Sequence, residues 1–109
     1  MTEVHEDLAL LKVKGNIDDR EERKNYVKSL AQAVGMVVQK HGVARLRCVG
    51  AASVSNAVKS HIIANGEASK KGSVLVCVPS FKTVVFEGAG EKTAIVLEVK
   101  DSQEHCSDK

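Results

Sequence analysis

The hydrophobic pattern predicts an α/β two-layer sandwich, β-α-β-α-β-β, in which a four-stranded mixed sheet carries two helices on one face. Three observations predict it. Between Val43 and Gly66 the apolar period changes once, from two to about 3.6, which reads as strand, tight turn and helix. A second helical stripe precedes that unit, at Val27, Leu30, Ala31, Val34, Val37, Val38 and His41. A last apolar block, 74–100, is broken only by Gly88-Ala89-Gly90-Glu91, the pattern of a hairpin.

Taken in order, Leu8 to Lys14 is the first strand, with Leu11 and Val13 alternating against Lys12 and Lys14. A strand–helix–strand order makes it parallel to 43–50, so that Lys12, Lys14, Arg45 and Arg47 share an open face. Gly15 to Lys24 is a charged connection whose later part is helical if Asp18 or Asp19 caps it. Gly42 stands at the stop of the first helix. Gly35, inside it, costs about 1 kcal/mol relative to alanine, and with Ala31 one turn earlier it marks a close crossing.

In the central unit Ala44, Leu46 and Cys48 alternate with Arg45 and Arg47, the pattern of a strand with one buried face. Gly50 opens the turn, Ser53 or Ser55 caps the second helix, and Gly66 is placed for its C-terminal cap. Val54, Ala57, Val58, His61 and Ile62 form its stripe. Val74 to Phe81 is a continuous apolar strand, buried on both faces or covered by a partner, and Pro79 makes it an edge or bends it. Thr83 to Glu87 continues as a ribbon, and Thr93 to Lys100 returns with Ile95, Leu97 and Val99 on one face.

At 109 residues the chain is one domain, read as 8–100 between flexible tails at 1–7 and 101–109. The formal charge of +2 understates the body, because residues 8–100 hold 15 Lys/Arg against 8 Asp/Glu, a net of +7. A basic body of this size points to a polyanionic partner, with plain solubility as the ordinary explanation. Only three aromatics, Tyr26, Phe81 and Phe86, are present, so base stacking cannot be the main contact. Cys48, Cys77 and Cys106 form no CxxC and read as thiols of a reducing compartment. No charged-then-apolar leader and no apolar run near 18 residues occurs, so the expected address is cytoplasmic, with a nucleoid or nucleus as alternatives and no membrane.

Catalysis and metal or cofactor binding are not expected. His5, His41, His61 and His105 lack metal-ligand spacing, and His61 on an apolar stripe is a packed histidine. No serine or cysteine sits in a nucleophile elbow. The turn Gly50-Ala51-Ala52-Ser53 presents a helix N-terminus that either holds a phosphate or only lets the helix pack closely on the sheet.

Four separated motifs resemble the stage V sporulation protein S family. They are Ser29-Leu30-Ala31-Gln32-Ala33-Val34 through Lys40-His41-Gly42, Val49-Gly50-Ala51-Ala52-Ser53 through Lys59, Cys77-Val78-Pro79-Ser80-Phe81, and Glu91-Lys92-Thr93-Ala94-Ile95-Val96-Leu97. The likeness spans Leu11 to Lys100. It implies kinship with the Alba nucleic-acid-binding proteins, and with it an Alba-like fold, a homodimer and binding of DNA or RNA. Arg23-Lys24-Asn25-Tyr26-Val27 is similar to the Alba helix start, where a basic loop meets phosphates. Carried over by position, Lys14, Arg23, Lys24 and Lys28 become phosphate contacts, with Arg47 and Lys59 close to the second turn. The hairpin tip, holding Glu87 and Glu91 with only Lys92, would be repelled by phosphate. The expected function is therefore backbone binding with little sequence preference. The rival is a developmental regulator that acts through a protein partner, with this tip as its docking edge.

Overall fold

A computed structural model describes residues 7–102. The expected tails lie outside the described residues except at their inner ends. The elements are β1 (Leu10–Lys12), α1 (Arg20–His41), β2 (Val43–Cys48), α2 (Ala51–Ser69), β3 (Leu75–Phe86) and β4 (Gly90–Asp101), the order the sequence predicts. The sheet runs β1-β2-β4-β3. β1 and β2 pair in parallel with Lys12 opposite Arg47, while β4 is antiparallel to both β2 and β3. The mixed sheet follows from connection length, since a helix can return the chain for a parallel partner whereas a short turn cannot.

α1 begins at Arg20 because Asp19 caps it, its carboxylate accepting from the Glu22 N–H at 3.3 Å. Arg23 and Lys24 therefore stand in the first turns of the helix, not in a loop before it. Gly42 ends α1 at φ 84°, donating its N–H to the Val38 carbonyl at 2.8 Å. The buried positions Val27, Leu30, Ala31 and Val34 face the sheet, as the stripe predicts. Gly35 does not mark a close crossing. No atom of a neighbouring element lies within 4 Å of where its Cβ would stand.

α2 is rotated relative to its predicted stripe. Its buried residues are Ser53, Asn56, Ala57, Ser60 and Ala64, while Val58 is 43 % and Ile62 61 % exposed. The polar members are tolerated because each is hydrogen-bonded. Ser53 Oγ donates to the Val49 and Gly50 carbonyls, and Ser60 Oγ to that of Ala57. Asn56 Nδ2 donates to the carbonyls of Lys14 and Gly15 at 3.0 Å each, fastening the β1–α1 connection to the helix. Gly50 is the N-cap residue without a side-chain cap, and Gly66 lies within the helix instead of closing it.

The core lies between helices and sheet, around Val34, Ala44, Leu46, Ala57, Leu97 and Val99. β3 is an edge strand, as Pro79 predicts, but it is not buried on both faces; Leu75 is buried, whereas Val78, Phe81 and Val85 are exposed. Its start is tied to α2 by the Leu75 N–H, which donates to Asn65 Oδ1 at 2.8 Å, and by His61 Nε2, 2.8 Å from the Leu75 carbonyl oxygen. A carbonyl only accepts, so that ring nitrogen carries the proton and His61 acts as a packing group.

Candidate nucleic-acid interface

Because α1 starts at Arg20, residues 20, 23, 24 and 28 recur at helical spacing along one side of its first half. That side faces the middle of α2. Between them lies a cleft of about 440 Å³, in which Arg20, Arg23, Lys24, Lys28 and Lys59 surround Val27, Ile62 and Ile63. Four of the six predicted contacts, Arg23, Lys24, Lys28 and Lys59, are thus brought together, with Arg20 as a fifth cation. Arg20 was legible only by its helical spacing to Lys24 and Lys28, a signal hidden while the helix start stayed undecided.

Among the described residues these five cations make no ion pair. Arg23 Nη1 donates to the Ile17 carbonyl at 2.8 Å, which pins its guanidinium to the loop while leaving other N–H groups. Gathering five like charges over an apolar floor raises the local positive potential, and an arriving anion relieves their mutual repulsion.

The other two predicted contacts lie elsewhere. Lys14 stands 5.7 Å from the centre of the Tyr26 ring, and its backbone N–H donates to the Tyr26 hydroxyl at 2.8 Å. It borders a separate hollow with Asp18, Asp19 and Glu22, so carboxylates offset its charge. Arg47 lies on the helix-free face of the sheet, 6.0 Å from the centre of the Phe86 ring.

Of the four basic side chains predicted to share the open face, Lys12, Arg45 and Arg47 do lie on it, Lys12 opposite Arg47, whereas Lys14, beyond the end of β1, lies by Tyr26; carboxylates occupy part of that face. Arg45 is held by Asp7 at 3.0 Å and by Glu98 at 3.1 Å, and Lys100 reaches Glu98 at 3.2 Å. The Lys100 hydrogen bond holds the Glu98 carboxyl below its ordinary value against partial burial, with Arg45 adding to the effect. The α2 N-terminus is partly covered by the chain itself, since a Cβ at Gly15 would stand 3.5 Å from the Ser53 nitrogen.

Residues 22–102 match the family model of stage V sporulation protein S (SpoVS). The chain belongs to that family. The match begins inside α1 and runs past the end of β4, so it contains every residue of the cationic cleft except Arg20. SpoVS membership points to a sporulation-related regulatory protein. Among the described residues no helix is long and apolar enough to cross a membrane.

Proposed function

We propose that this SpoVS chain is a cytoplasmic, nucleic-acid-binding homodimer of the Alba-like type, which grips the phosphate backbone with little sequence preference and serves a regulatory role. The observation that carries the reading is the cleft of Arg20, Arg23, Lys24, Lys28 and Lys59, five cations between two helices that make no ion pair among the described residues. Lysines and arginines at such spacing contact phosphates and displace counterions, and they offer no ordered array for reading base edges. Arg47 and Lys14 play at most an outer part. The homodimer is supported by apolar side chains on α2 and β3 that one copy leaves open, Val58, Val78 and Phe81. The reading requires no catalysis and no cofactor.

A second reading, a regulator that docks a protein, is favoured by the hairpin tip, where Glu87 and Glu91 accompany an exposed Val85. Salt separates the two. Affinity for generic DNA and RNA should fall steeply as salt rises, and Arg23→Ala with Lys24→Ala should weaken it equally for all sequences. Absence of binding at low salt favours the protein-docking reading.

A further inference from the structure

The cleft and the hairpin tip are complementary in two respects. The cleft is apolar at its floor and cationic at its rim. On the tip, Val85 is directly opposite Glu91 across the β3–β4 ladder, so the two side chains share one face of the ribbon, and Glu87 stands in the turn beside them. Val85 is 71 % exposed, and among the described residues neither Glu87 nor Glu91 makes an ion pair. An amphipathic acidic tip thus matches an amphipathic basic cleft.

The two do not meet within one copy. Phe86 reaches Arg47 on the helix-free face of the sheet, so the ribbon curls away from the helical layer in which the cleft lies. We infer that the hairpin tip of one copy docks into the α1–α2 cleft of another, Val85 against Ile62 and Ile63, and Glu87 and Glu91 against Arg23, Lys24 and Lys59. The consequence of this contact rests on the nucleic-acid reading. Tip and phosphate backbone seek the same cations, so copies free of nucleic acid close one another's clefts, and nucleic acid opens them.

Charge-swapped variants test the docking. E87K/E91K has a cationic tip facing its own cationic cleft, and R23E/K24E/K59E, in which three of the five cleft cations are reversed, has a net acidic cleft facing its own acidic tip. Neither variant changes Val58, Val78 or Phe81. In low-salt sedimentation the wild-type protein should associate beyond the dimer, each variant alone should do so about tenfold more weakly or less, and an equimolar mixture should regain the association because both tip–cleft pairs are then opposite in sign. A short generic oligonucleotide should dissolve the wild-type assembly. Wild-type protein that stays dimeric, variants that associate as it does, or a mixture that regains nothing would overturn the docking. Oligonucleotide binding is measured in parallel on the wild-type protein. Docking without that binding removes the nucleic-acid reading and leaves the self-contact standing, and binding without complementation removes the docking alone.

Discussion

The Arg47 guanidinium lies 6.0 Å from the centre of the Phe86 ring, although the ladder places their strand partners, Val96 and Gly90, six positions apart along β4. In a flat sheet those positions are about 20 Å apart, at about 3.3 Å per residue. The contact therefore requires the β3–β4 ribbon to coil back over the open face, an extreme of the twist every two-stranded ribbon carries. In keeping with this, Ala94 and Val96 are buried although no helix covers their side of the sheet. Phe86→Ala should cost about 1 kcal/mol, from the lost cation–π contact and lost burial. Hydrogen exchange at the ribbon amides should quicken while that at α1 stays unchanged, and an unchanged ribbon would contradict the clamp.

Glycines in α1 and α2 give a sharp contrast. Gly35 and Gly66 have helical backbones and open space where a Cβ would stand, so Gly35→Ala and Gly66→Ala should each stabilise the protein by about 0.5–1 kcal/mol. Gly42, at φ 84°, should do the reverse, its alanine variant losing about 1 kcal/mol. Thermal or urea unfolding of the three variants reads the sign directly.

Burial pushes the Cys48 thiol up from 9.0 to about 11, with Cys77 adding, and burial raises Cys77 as well. Because the thiolate is the nucleophile, Cys48 in the folded protein should resist alkylation at pH 8 and label fully after unfolding. Peptide mapping by mass spectrometry distinguishes it from the other cysteines. Rapid native labelling at Cys48 would contradict its place in the core.

Glu98 has a folded pKa below its ordinary 4.5, so its contribution to stability is present above that value and lost as pH falls through the lowered one. Glu98→Gln should therefore cost about 0.5–1 kcal/mol at neutral pH, a modest figure because Arg45 and Lys100 hold it near solvent. The gap between variant and wild type should close below pH 4, as chemical denaturation across pH would show.

Much of this architecture was legible in the residues. Gly42 after a helical stripe, Asp18 or Asp19 before it and Pro79 at an edge or a bend each restrict the backbone strongly, and the structure resolves them as a stop at Gly42, a cap at Asp19 and an edge strand at Pro79. The face of α2 was not legible, because Ser53, Asn56 and Ser60 count as polar in any periodicity, while their hydrogen bonds to nearby carbonyls make them core residues. Of the basic residues, Arg23, Lys24 and Lys28 stand together on α1, while Lys59, expected beside Arg47 near the second turn, instead lines the same cleft as they do. Arg45 and Arg47 were not separable by alternation alone, since the carboxylates beside one and the ring over the other come from β4 and β3.

The measurement that bears most directly on the account is the salt dependence of oligonucleotide binding by wild-type protein and by the R23A/K24A variant, followed by fluorescence anisotropy with generic duplex and single strands. The account predicts a steep linear fall of log affinity with log salt for the wild type, a slope shallower by about 2 for the variant, and near-equal loss across sequences. Binding that is absent at low salt, or identical in the two proteins, would contradict it.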